Sequence, residues 1–179
     1  MEAALTDKNA AQPYFDMELF LQTTGETRLA GADRDECLSL WAQWSAKLTR
    51  ASVTAEGRTY LAVWLHEDVE NTIQAEWEES PSKGFRMHAL AQTMTMCAVH
   101  ERVPEVEDVG CAPVPPVSRA LADALTEAGL PARAREGLEF ARKYAVVTRE
   151  PFGGGCEICA LQSDCPRSGR ADGSVIEFG

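Results

Sequence analysis

Arg58-Thr59-Tyr60-Leu61-Ala62-Val63-Trp64-Leu65-His66-Glu67-Asp68-Val69-Glu70-Asn71-Thr72-Ile73-Gln74-Ala75-Glu76-Trp77-Glu78-Glu79 is the stretch on which the fold turns. Leu61, Leu65, Val69, Ile73 and Trp77 recur every four residues, with Trp64 beside them. That spacing predicts one long amphipathic helix over about residues 58–79. Its other face carries Glu67, Asp68, Glu70, Glu76, Glu78 and Glu79, a solvated acidic side. Gly57 separates it from what precedes, and Ser80-Pro81-Ser82 breaks it.

Toward the N-terminus, residues 1–15 read as a flexible lead-in with Pro13 as a breaker. Asp16 to Thr24 fits a short helix or a strand, stopped by Gly25. Asp33 is placed to cap a second helix, with Glu36 three positions on as its capping-box partner. Cys37, Leu40, Trp41, Trp44 and Leu48 continue that helix as an apolar stripe to about Arg50, with Cys37 a buried core thiol. Toward the C-terminus, residues from about Lys83 to Arg102 form another helical pattern with Phe85, Leu90, Met94, Cys97 and Ala98 inward. Met87, Met94 and Met96 read as core filler at helical spacing.

Val103 to Pro116 carries Pro104, Gly110, Pro113, Pro115 and Pro116 and excludes regular helix. Ser118 caps a helix that Gly129 closes. Pro131 opens another, through Leu138 and Phe140 to about Lys143. Ala145 to Thr148 is a short strand or a helix end, and Gly169 to Gly179 is a tail with Val175 to Phe178 as a strand or docking segment. The expectation is a mainly α protein. A flexible 1–15 segment precedes a single helical domain, 16–179, of five to six helices. That domain includes a cysteine loop at 153–166 and leaves room for a small β element.

The 179 residues suffice for one domain with a core. The formal net charge of -11 disfavours a nucleic-acid partner, which needs a basic face. Arg133, Arg135, Arg142 and Lys143 cluster in sequence and read as a solvated face. No apolar run approaches the roughly 20 residues that span a bilayer. Met1 to Gln12 is polar and lacks a leader's apolar core. The expected location is therefore cytoplasmic, with no membrane partner. Thiols stay reduced there, so six cysteines point to metal binding more than to disulfides.

Three of the six lie in Gly153-Gly154-Gly155-Cys156-Glu157-Ile158-Cys159-Ala160-Leu161-Gln162-Ser163-Asp164-Cys165-Pro166, at C-x2-C-x5-C. One tight turn aims the first two sulfurs at a point, and the third returns after about one more turn. Three converging thiolates make most of a tetrahedral zinc site or of a [4Fe-4S] cradle. The glycines let the backbone bend, and Pro166 ends the loop. A fourth ligand is needed. Cys111, in the Pro/Gly-rich stretch, is the first choice. Cys97 is the second, and His100, three residues on along the same helix face, is a further alternative. A remaining arrangement leaves one iron open.

Cys156, Cys159 and Cys165 resemble the last three ligands of the iron–sulfur loop in endonuclease III-type DNA glycosylases. Their spacing is also similar to the C-terminal cysteine trio of CRISPR-associated and AddB-type nucleases. In the glycosylases a first cysteine precedes the trio by a six-residue gap, and Arg149 stands at that position here. In the nucleases the first ligand lies far upstream, as Cys111 or Cys97 does. About ten residues carry the resemblance. It implies the cluster type and no activity, since neither the glycosylase helix-hairpin-helix glycines nor a nuclease Asp…Glu-x-Lys set is present. Zinc sites of four cysteines often use two C-x2-C knuckles, and this chain has one, which favours [4Fe-4S] with zinc as the alternative.

Other constellations are weaker. His66-Glu67-Asp68-Val69-Glu70 lacks the second histidine of H-E-x-x-H, and the glycine run lacks the Lys-Ser/Thr of a phosphate loop. The carboxylates at 67, 70, 76 and 79 are candidates for Mg²⁺. Three classes follow. The first is an iron–sulfur protein whose cluster is structural or passes electrons to a redox partner, for which an acidic surface suits a basic docking face. The second is a zinc-stapled interaction or regulatory module without catalysis. The third is an enzyme using an open cluster iron or an acidic helix Mg²⁺ site. The residues leave open whether there is catalysis.

Overall fold

The computed structural model describes residues 4–29, 31–116, 118–135 and 138–165. Pro166 and the 169–179 tail, with its docking segment, lie outside the described residues. The architecture is mixed α and β, which corrects the mainly helical expectation. Among the described residues there are six helices, a four-stranded antiparallel sheet and a two-stranded one.

The decisive stretch divides in two. Arg58–Leu65 is a strand, β3, and Glu67–Glu79 is a helix, α3. β3 lies between β2 (Leu48–Ala55) and β6 (Ala145–Arg149), both antiparallel to it. A spacing of four is also twice the strand period, so Leu61 and Leu65 share a face in either structure. Composition decides for the strand: Tyr60 to Leu65 is an unbroken run with aromatic and β-branched members. All six of these residues are buried because both faces of the sheet are covered. Leu61, Val63 and Leu65 join one core, and Tyr60, Ala62 and Trp64 join the other. Glu56 (φ 53°) and Gly57 (φ 74°) make the two-residue turn joining β2 to β3. Successive positive φ values match the twist of a tight hairpin.

His66 then starts α3, its Nδ1 accepting the Asp68 backbone N–H at 3.3 Å. Val69 and Ile73 are buried, as the stripe requires. Pro81–His100 forms α4, the longest helix, with Leu90, Met94, Ala98 and Val99 inaccessible to solvent. Phe85, expected inward, is exposed.

Ala4–Ala10 forms the edge strand β1, paired with β2, where a flexible lead-in is expected. The following residues are held as well. Trp41 Nε1 donates to the Pro13 carbonyl at 3.0 Å, and Phe15 packs against Phe20 and Trp41. Met17–Thr24 is α1, capped by Asp16, whose Oδ1 accepts the Leu19 N–H. Gly31–Ser45 is α2, with Cys37, Trp41 and Trp44 buried. It ends before Leu48, which begins β2 instead of extending the stripe. Asp33 pairs with Arg86 in the first turn of α2.

Two further expectations change. Glu105–Val109 is a one-turn helix, α5, inside the Pro/Gly-rich stretch, closed by Gly110 at φ 75°. In place of the helix expected from Pro131, Ala132–Ala134 (β4) and Leu138–Phe140 (β5) pair as a hairpin. Apolar Ala132, Leu138 and Phe140 alternate with Arg133 and Glu139, a period of two, and pack on the second core. Arg119–Ala128 forms α6 between Ser118 and Gly129, at the expected bounds.

The sheet order is β1-β2-β3-β6. Helices α1 to α5 contribute to the core on one face, and α6 with the hairpin covers the other. No helix among the described residues is long and apolar enough to cross a membrane.

Candidate metal centre

β6 delivers the chain to the cysteine loop. Its end is tied down by Glu150, whose N–H donates to the Thr59 carbonyl at 3.1 Å. Glu150 Oε2 accepts from Ser52 Oγ at 2.7 Å, and Oε1 accepts from Arg102 Nε at 2.7 Å. This half-buried carboxylate therefore joins β2, β6 and the segment just after α4. Hydrogen bonds to a charged group contribute about 1.5–3 kcal/mol each when sheltered. Glu150→Gln is expected to lower stability by about 1–2 kcal/mol, since shape is kept and charge is lost. Urea unfolding checks it; an unchanged midpoint removes Glu150 from this role.

The loop itself is two tight turns. Cys156–Ile158 is a short 3-10 turn, and the Cys159 N–H closes on the Cys156 carbonyl at 3.1 Å. The first two cysteines thus stand at the two ends of one turn, as C-x2-C requires. A second turn, Gln162–Asp164, ends at Cys165. Gly154 has φ 124°, and a Cβ there would stand 2.6 Å from Glu157 Oε1. Glu157 accepts the Gly155 N–H at 3.0 Å. Bonds from its own backbone N–H and from that of Gly155 hold its exposed carboxyl below the usual glutamate range.

The loop lies against the segment that carries Cys111. The Ala160 N–H donates to the Val114 carbonyl at 2.9 Å. At the other end, a Cβ on Gly155 would lie 3.9 Å from Val109 Cγ1. Positions 155 and 160 bracket Cys156 and Cys159, while 109 and 114 bracket Cys111. Thr148 Oγ1 donates to the Pro113 carbonyl at 3.2 Å, fixing the same segment to β6. Cys111, Cys156, Cys159 and Cys165 are all partly exposed.

The alternative ligands sit elsewhere. Cys97 is in the main core with 6% exposure, and burial pushes its thiol up to about 11. Cys37 is likewise buried, and burial pushes it up to about 11. Metal ligation needs the thiolate, which such burial disfavours. His100 lines an open cleft of about 450 Å³ between α1 and α4, with Asp16, Glu18 and Glu107. The acidic face of α3 is engaged in ion pairs and hydrogen bonds: Glu67 with Arg142, Asp68 with Lys47, Glu76 with Lys83, and Glu70 with the Lys143 N–H.

As placed, no three His, Cys, Asp or Glu side chains among the described residues form a group fit to hold a metal ion. The backbone brings the two cysteine-bearing segments together, and the sulfurs are not drawn to one point. Sequence reading missed Glu150 and the contacts of Gly155 and Ala160. They join residues far apart in the chain, and no local pattern marks them. No family model, curated protein or solved structure matches the chain.

Proposed function

We propose that this chain is a metal-binding protein that carries a [4Fe-4S] cluster on Cys111, Cys156, Cys159 and Cys165, in a structural or electron-transfer role. One observation carries the reading: the 156–165 loop is hydrogen-bonded to the Cys111 segment, Ala160 N–H to the Val114 carbonyl at 2.9 Å. The four cysteines there are accessible, unlike Cys37 and Cys97. By type the donor set matches the group, four thiolates being what such a cluster takes, although as placed the sulfurs do not converge. Binding requires the cysteine side chains to rotate inward from two backbone segments already in contact. Bound, the cluster supplies a one-electron couple and ties the C-terminal loop to the body. The chain's own part is to aim the thiolates and to shield the centre on one side. An acidic surface suits a partner with a basic docking face.

Anaerobic purification tests this. The protein is expected to be brown, with a shoulder near roughly 400 nm that dithionite bleaches, and to hold about four irons and four sulfides per chain. Cys111→Ala is expected to lose most of that iron, and Cys97→Ala to keep it. A colourless protein holding one zinc would sink the cluster reading in favour of a zinc-stapled module. Full iron in Cys111→Ala would sink the ligand assignment.

A further inference from the structure

We infer that Cys156 and Cys159 form a reversible disulfide, closed by exchange with a small-molecule disulfide such as oxidised glutathione. This goes beyond the cluster reading and needs no metal.

The two residues stand at the ends of one closed turn. Cys156–Ile158 is a 3-10 turn, and the Cys159 N–H bonds to the Cys156 carbonyl at 3.1 Å. The Ile158 N–H bonds to the Gly155 carbonyl at 3.3 Å. Three residues complete such a turn and rise about 2.0 Å each, so residues i and i+3 lie one above the other, roughly 6 Å apart. Disulfides join Cα atoms about 4.4–6.8 Å apart whose Cβ vectors do not diverge. Cys159 has a near-helical φ of -78°, which keeps its Cβ on the side of the Cys156 Cβ. Its extended ψ of 125° turns only the chain that follows. The Ala160 N–H holds that chain on the Val114 carbonyl at 2.9 Å.

The other cysteines do not share this geometry. Cys165 ends the second turn, which closes from its N–H to the Gln162 carbonyl at 3.4 Å, so its partner across that turn is a glutamine. Cys111 lies on a separate segment, and Cys37 and Cys97 are buried. Cys156 and Cys159 are free thiols and partly exposed. The three residues before them are glycines and place no side chain over them.

Exchange proceeds in two steps. One cysteine thiolate attacks a sulfur of the external disulfide, that S–S bond breaks, and one small thiolate leaves. The second cysteine thiolate attacks the protein sulfur of the mixed disulfide, forms the Cys156–Cys159 bond and expels the second small thiolate. Two cysteines are oxidised, the small disulfide is reduced to two thiols, and the two protons the cysteines lose end on those thiols. The held turn makes the second step unimolecular, so it outruns attack by another external molecule.

The test uses the full chain, treated with a chelator and fully reduced. It is incubated without oxygen with oxidised glutathione, blocked with N-ethylmaleimide and mapped by mass spectrometry. The wild-type protein is expected to lose two hydrogens, to keep no glutathione at Cys156 or Cys159, and to take maleimide at Cys165 but at neither of them. Cys165→Ser is expected to close the same bond. Cys156→Ser and Cys159→Ser are expected to stop at the mixed disulfide and carry glutathione on the remaining cysteine. Wild-type protein that keeps glutathione on Cys156 or Cys159, joins either to Cys111 or Cys165, or leaves both open to maleimide overturns the inference. If the serine variants do not fold, the wild-type map decides alone. Iron and sulfide play no part in these readouts, so failure here is separate from failure of the cluster reading.

Discussion

Val63→Asp is expected to abolish the folded state. Val63 is fully buried in the central strand β3, on the face covered by α1 to α5. It stands opposite Arg50 on β2 and Val146 on β6. A carboxylate there is enclosed on both sides by neighbouring strands and above by helices. Arg50 opposite it is already paired with Glu101 at 3.5 Å, and leaving the new carboxylate unpaired, or protonating it to avoid the charge, is expected to remove more than about 4 kcal/mol. That approaches the whole stability of a domain at the low end of the ordinary range, about 5 kcal/mol. In the helix expected over 58–79, position 63 lies off the apolar stripe, and the same change is mild. Circular dichroism with a urea titration decides: loss of the cooperative transition is the expected result, and a stable Val63→Asp protein would remove β3 from the core. Val63→Ala gives a graded companion, with an expected loss of about 1–3 kcal/mol.

Gly84→Ala is the second large effect. Gly84 lies in the first turns of α4, buried, where α4 crosses α3. A Cβ there would stand 2.7 Å from Trp77 Cγ and 2.8 Å from Trp77 Cα. The second contact is backbone, so turning the indole aside does not relieve it. The α3–α4 pair must separate, and Trp77 must leave its packing against the main core. Helix propensity favours alanine by about 1 kcal/mol, so a gain is expected if space were free. The clash outweighs it, and a net loss of about 2–3 kcal/mol is expected. Thermal unfolding measures the sign directly; a raised melting temperature would show that the helices can part without cost.

The two replacements locate what was legible in the residues. The helical stripes of α2 and α3 were visible because their faces are one-sided, one side meeting the core and the other water, whereas α4, buried nearly all round over 89–99, was visible by its length and spacing. Ser118 and Gly129 mark α6 because a cap and a left-handed stop are local chemistry. β3 was not visible as a strand. It is buried on both faces, so the polar alternation that identifies a half-exposed strand is missing. Its leucines four apart satisfy both periods. β4 and β5 are three residues each, too short for a pattern to outweigh the helix-start signal of Pro131.

The sequence by itself determined the chemistry on offer. Its cysteine spacing, glycine run and acidic balance depend only on residue types and order. Only the tertiary structure decided which thiols are accessible and which segments meet. Burying Cys37 and Cys97 and seating the 156–165 loop on the Cys111 segment join residues distant in the chain. Those contacts follow from how the sheet and its covering helices close around two cores. No periodicity along the chain records that closure, because burial depends on what the rest of the chain places opposite each residue.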